Sequence, residues 1–170
     1  GSSVDTYIVP DNLPLGEAVN RLLDKYGQAL VERFIDGPEL TVGVLGNQAL
    51  PVIEIVPKAA FYDYQAKYVA EDTDYIVNPP LPAELLKQAQ DLSLTVFNTL
   101  GCRDLSRIDW RIEKATGKIY LLEVNTMPGF TSHSLLPKAA GAIGIDFAGL
   151  CQRLVEMAMV REKPAAPAGE

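Results

Sequence analysis

The sequence is poor in the residues that would mark a disulfide scaffold, a zinc site or a histidine-based active site, with two cysteines and one histidine in 170 residues. Cys102 and Cys151 lie far apart, without metal-ligand spacing or histidine partners, and read as reduced, half-buried thiols. His133 has no acid at a recognisable spacing to orient it, so it reads as a bland position rather than a general base. No apolar run approaches the roughly 18–20 residues that a spanning helix needs, and no basic, apolar, small-residue signal opens the chain. A cytoplasmic protein with no membrane partner is therefore expected. Basic charge is also in deficit: 15 Lys and Arg stand against 22 Asp and Glu, for a formal charge of −7. That balance disfavours a nucleic-acid partner, which would call for a basic face. What remains, 48% hydrophobic and 22% charged, is enough for one globular core.

Along the chain, residues 1–12 read as a turn-rich loop around a short extended piece at 6–9. Apolar residues at Ala18, Val19, Leu22, Leu23 and Tyr26 predict a helix over 17–26, stopped by Gly27. Three strand-like runs follow, 29–35, 39–45 and 49–56, separated by Asp36-Gly37-Pro38 and Gly46-Asn47, and they suggest an antiparallel meander. Residues 57–82 carry four tyrosines and no usable period, which suggests a functional loop. Pro82 opens a second helix, with Leu85, Leu86, Ala89, Leu92, Val96 and Leu100 on one stripe and Gly101 as its stop. Further helices are expected from about Ser134 and from Asp146, both good N-cap residues. The Pro-, Ala- and Gly-rich stretch 161–170 reads as a flexible tail.

Residues 106–113 and 118–125 form the most informative element, a hairpin turning at Ala115-Thr116-Gly117. A three-residue loop pairs Asp109 with Glu123 and Arg107 with Asn125. One face then carries Ile108, Trp110, Ile112, Tyr120, Leu122 and Val124, and the other carries the polar four. Facing carboxylates repel unless a cation lies between them, and an amide oxygen beside them adds a third hard ligand, a set that suits magnesium carrying a nucleotide phosphate. An ordinary solvated strand face is the alternative. Residues 125–134 follow, where Gly129 can bring an N–H close to a ligand and a helix N-terminus favours anions.

These residues resemble the D-alanine/D-alanine ligases of the ATP-grasp superfamily. The matching blocks are Gly1-Ser2-Ser3-Val4, Val31-Glu32-Arg33-Phe34-Ile35, Pro38-Glu39-Leu40-Thr41-Val42, Phe61-Tyr62-Asp63-Tyr64-Gln65-Ala66-Lys67-Tyr68, Arg107-Ile108-Asp109 and the run from Leu122 to Ser134. The resemblance implies an α+β fold, the ATP-grasp C-terminal lobe, with an antiparallel sheet and its helices on one side, over residues 1–160. It implies an enzyme that uses ATP and two magnesium ions, with manganese able to substitute, to join two D-alanines into a peptidoglycan precursor. Asp109, Glu123 and Asn125 would hold the metals. Arg107 and the Gly129 N–H would face the oxyanion, and Ser2 and Tyr68 would belong to a catalytic hydrogen-bonded group. Glu32, Glu39, Lys67 and Tyr62 would bind the nucleotide. Ser134 and Leu135 would meet the second substrate, although capping is a sufficient reason for a serine at 134, and the tyrosines could simply pack under a loop. Tyr68 also stands where D-lactate-using relatives have a histidine, which implies a dipeptide product. The family's first-substrate domain and phosphate lysines do not precede Gly1, so an N-terminal portion of the same enzyme is an expected partner, the intact protein is expected to be a homodimer, and the chain alone is expected to be inactive. Another ATP-grasp carboxylate–amine ligase and a non-catalytic nucleotide-binding module are the alternatives.

Overall fold

A computed structural model of the chain describes residues 5–9, 14–57 and 73–160. At its centre is Glu39–Leu45 (β1), in which every residue after Glu39 is buried. A strand buried on both faces belongs inside a sheet. β1 pairs antiparallel with Ile53–Pro57 (β3) on one side and Leu105–Ile112 (β5) on the other. Thr73–Val77 (β4) lies beyond β3 and Ile119–Asn125 (β6) beyond β5, giving the order β4-β3-β1-β5-β6, with Gln48–Ala49 (β2) paired to the end of β1.

The helices are Leu15–Tyr26 (α1), Ala83–Thr99 (α2), Leu135–Gly141 (α3) and Phe147–Met159 (α4). Side chains alternate across a strand, so Leu40, Val42, Val44, Ile108, Trp110 and Ile112 form one core with Ala89 and Phe97 of α2. Leu45, Leu50 and Ile53 form another with Leu136, Ala139 and Ala140 of α3 and Leu150 of α4. Helices thus cover both faces of the sheet, not one side as expected. Gly43 permits the second layer, because a Cβ there would stand 3.0 Å from Leu50 Cδ1 and 3.3 Å from Leu136 Cγ. On the α2 side, the buried indole of Trp110 donates to Ser93 Oγ at 2.8 Å, and that hydroxyl donates onward to Ala89 O at 2.7 Å. These two bonds satisfy the indole N–H and the Ser93 hydroxyl inside that core. Among the described residues no helix is long and apolar enough to cross a membrane.

The first two helices stop where expected: Gly27 caps α1 from the left-handed region at φ 70°, and Gly101 follows α2 at φ 64°. Several strand expectations are corrected. Residues 29–35 join no ladder and leave Leu30, Val31 and Phe34 exposed. The following turn runs beside β5 instead of folding back, with Ile112 N donating to Pro38 O and Lys114 N to Asp36 O. A strand needs a neighbouring edge to satisfy its backbone, and no described strand supplies one here. The run at 49–56 is interrupted at Pro51, which has no N–H to donate; Leu50 N turns to Gly43 O and Leu50 O accepts from Gln90 Nε2. The stretch 57–82, read as irregular, contains β4, paired residue for residue with β3. Residues 161–170 lie outside the described residues.

Candidate active site

The β5–β6 ladder pairs Arg107 with Asn125, Ile108 with Val124 and Asp109 with Glu123, as the spacing predicts. Immediately after Asp109 a bulge takes up Leu122, so that Trp110 faces Leu121, Arg111 faces Tyr120 and Ile112 faces Ile119. The expected apolar wall is corrected accordingly. Ile119 and Val124 pack on the core, Leu121 and Leu122 are exposed, and Tyr120 is half-buried and accepts a hydrogen bond from Arg33 Nη2 at 2.8 Å. The bulge confines the sequence-derived register to the end of the hairpin that carries the polar residues.

There the four polar side chains form one connected group. Arg107 holds Asp109 with a fork: Nε reaches Oδ1 at 2.9 Å and Nη2 reaches Oδ2 at 2.7 Å. The same Nη2 lies 3.5 Å from Glu123 Oε1, which also accepts from Asn125 Nδ2 at 2.8 Å. Asp109 is buried, Arg107 is partly buried and Glu123 is exposed. Burial works to lower the Arg107 pKa, but the hydrogen bonds and charge of Asp109, with the charges of Glu123 and Glu39, outweigh it and hold the pKa above its ordinary value. A cationic group thus stands between the two acids, where their facing register calls for one.

Glu39 lies on the same face of the sheet, opposite Arg111, whose Nη2 donates to Glu39 Oε2 at 2.7 Å. Arg111 also lies 5.6 Å from the Phe34 ring centroid, and Arg33 forms an ion pair with Glu113 at 3.0 Å. Glu32 is exposed in the ladderless segment tied to the hairpin by those contacts. After β6, Phe130 stacks at 5.3 Å on Phe147 of α4 and packs on the second core. Gly129 sits against Ser134, with room for a Cβ only 3.3 Å from the serine Oγ. The Ser134 hydroxyl makes no capping bond into α3; it accepts from Thr131 N at 3.0 Å, with Thr131 Oγ1 at 2.9 Å. Capping therefore does not explain that serine. The side chain of Leu135, the first residue of α3, packs on the second core. Ser2, Tyr62, Lys67 and Tyr68 lie outside the described residues.

Two participants were not singled out from the sequence. Arg111 secures Glu39, and Thr41 donates to Asp109 Oδ1 at 2.7 Å from within β1. The one signal for Thr41 is a hydroxyl in an otherwise apolar buried run; its partner depends on the β1–β5 register, which no local pattern specifies. Among the described residues no group of three or more His, Cys, Asp and Glu side chains gathers at metal-binding distance. The local donor set is two carboxylates and an amide, which offer hard oxygen ligands, and it fits magnesium. The guanidinium already placed between the acids supports the same sign of ligand charge.

The family model described as D-ala D-ala ligase C-terminus matches residues 1–156. The D-alanine--D-alanine ligase of Xanthomonas axonopodis pv. citri is 49% identical over 159 residues, covering 94% of this chain and 50% of that protein. That of Syntrophotalea carbinolica is 44% identical, covering 95% and 52%. The crystal structure of D-alanine--D-Alanine Ligase from Bacillus anthracis superposes with a TM-score of 0.77 at 36% identity, over 94% of this chain and 51% of that one. Its complex with ATP gives 0.72 at 34% identity, over 90% and 50%. The chain spans about half the length of the curated relatives it matches. With this sheet, this hairpin register and a family match over residues 1–156, the chain belongs to the D-ala D-ala ligase C-terminus family.

Proposed function

We propose that this chain is the magnesium- and nucleotide-binding C-terminal part of an ATP-dependent D-alanine/D-alanine ligase, with residues 1–160 as its folded unit. The observation that carries the reading is the Arg107, Asp109, Glu123 and Asn125 group on one end of the β5–β6 hairpin. In the reaction, the γ-phosphoryl group of ATP moves to the carboxylate of one D-alanine, giving an acyl phosphate and ADP. The amine of a second D-alanine then attacks the acyl carbon, phosphate leaves, and the amine's proton is released. Asp109, Glu123 and Asn125 would hold two magnesium ions, which when bound neutralise charge on the nucleotide phosphates. Arg107 is on a long side chain already charged and directed at this cluster, so it can turn from the acids to the transferring phosphoryl oxygens. Arg107 and the Gly129 N–H would then stabilise the oxyanion that develops on attack. Ser134 Oγ, turned back towards Thr131, is free of helix capping and can meet the second substrate's carboxylate beside Leu135. Glu32 would bind the adenine side. Glu39 has one oxygen anchored by Arg111 and can offer the other to ribose hydroxyls.

The partner is the preceding portion of the same enzyme, and the unladdered segment at 29–35, with Leu30, Val31 and Phe34 exposed, supports it as a surface that portion would cover. The experiment joins this chain to the preceding half of the Xanthomonas axonopodis relative and measures phosphate release and dipeptide from MgATP and D-alanine, beside the chain alone. The fusion is expected to make D-alanyl-D-alanine and the lone chain none. Dipeptide from the lone chain would overturn the partial-enzyme reading, and a folded fusion that neither binds magnesium nucleotide nor forms dipeptide would overturn the ligase reading.

A further inference from the structure

Thr41 occupies the middle of β1, directly opposite Asp109 in the β1–β5 ladder. Both residues are almost sealed from solvent, at 2% and 5% exposure. A buried, β-branched strand position is one that valine fills without a polar atom to satisfy. Here the hydroxyl is satisfied by donating to Asp109 Oδ1 at 2.7 Å. Among the described residues, the remaining hydrogen bonds to that carboxylate come from Arg107, through Nε and Nη2. The two donors differ in kind. Arg107 reaches Asp109 along a flexible stem and carries the charge that a cation would replace. Thr41 has a single χ angle, held by burial, and is neutral. When a cation takes the place of the guanidinium, the Thr41 contact can persist and hold the carboxylate plane. It engages Oδ1, while Oδ2 faces the Arg107 nitrogen shared with Glu123.

We propose that Thr41 is a positioning residue, whose hydroxyl orients the Asp109 carboxylate so that Oδ2 faces Glu123 and thereby sets the affinity of this acid pair for a divalent cation. The proposal rests on the reading of Asp109 and Glu123 as cation ligands. Outer-shell hydrogen bonds of this kind govern metal affinity by fixing the ligand before the metal arrives.

The test titrates Mn2+ alone into the 170-residue chain, followed by water-proton relaxation and displaced by Mg2+, for the wild type, Thr41→Val, Thr41→Ser and Glu123→Gln. Thr41→Val is expected to weaken Mn2+ binding by roughly 10- to 100-fold, and Thr41→Ser to recover most of it. Melting temperatures taken alongside separate this from packing, since a purely structural hydroxyl would lower the melting temperature in Thr41→Val without moving the Mn2+ affinity. Should Thr41→Val not fold, Thr41→Ala makes the same comparison without crowding Asp109. If Glu123→Gln loses Mn2+ while Thr41→Val binds as the wild type does, the role of Thr41 is overturned and the metal site stands. If the wild type binds no Mn2+, or Glu123→Gln binds it unchanged, the metal reading fails and the proposal with it.

Discussion

Neutralising the two facing acids in turn should separate their structural roles, although both are assigned to one metal site. The Asp109 side chain is 8% exposed and held by the Arg107 fork, whereas Glu123 is 56% exposed and 3.5 Å from the same guanidinium. Removing the charge of one partner of a buried pair costs about 3–5 kcal/mol, because the other charge is left uncompensated. Arg107 keeps 23% exposure and Glu123 as a second counter-charge, so Asp109→Asn should sit near or below the low end of that range, about 2–3 kcal/mol. For a chain of this length each kcal/mol corresponds to roughly 2–4 °C, so the melting temperature should fall by roughly 4–12 °C. Glu123→Gln removes a long, screened attraction to Arg107 together with a repulsion from Asp109, and should stay within about 0.5 kcal/mol of the wild type. Both variants should lose Mn2+ affinity at least as severely as the roughly 10- to 100-fold loss of an outer-shell partner. Urea unfolding read by Trp110, the single tryptophan, buried next to Asp109 on β5, gives the stabilities directly. Equal stability losses in the two variants, or a larger loss in Glu123→Gln, would refute the division of the pair into a buried structural acid and an exposed one.

Ser93→Ala should strand the Trp110 indole N–H in the α2 core and cost about 1–3 kcal/mol in a denaturant melt; an unchanged midpoint would mean the N–H has another acceptor. Gly37→Ala should be more damaging than an ordinary glycine substitution. Gly37 adopts φ 147° and a Cβ would stand 1.9 Å from the Ile112 carbonyl oxygen, so a soluble variant with wild-type stability would contradict the packing of that turn on β5. For the proposed intact enzyme, Tyr68→His should shift the product of competing D-alanine and D-lactate towards the depsipeptide as pH falls through the roughly 6.5 reference pKa of imidazole, where the ring becomes cationic. A product ratio that does not move with pH would remove charge as the cause.

Local pattern specified much of this protein. The 3.6-residue spacing of α1 and α2, with Gly27 and Gly101 as stops, and the two-residue period of the β5–β6 hairpin are short-range properties, carried by residues adjacent in the chain. Hence the pairing of Asp109 with Glu123 and of Arg107 with Asn125 follows from the sequence alone. The resemblance added the adenine, ribose and second-substrate assignments to a magnesium and phosphate reading that the spacing had already suggested. Local pattern failed where an element needed something outside itself. Residues 29–35 have strand-forming residues, but a strand exists only against another edge. The bulge at Leu122 moved that residue to solvent and Ile119 to the core, because a one-residue slip exchanges the faces of a strand. The β1–β5 pairing joins residues about seventy positions apart in the sequence, such as Thr41 and Asp109. That register arises from packing β1 between two strands and two helix layers, so only the tertiary structure could bring the Thr41 hydroxyl to the carboxylate.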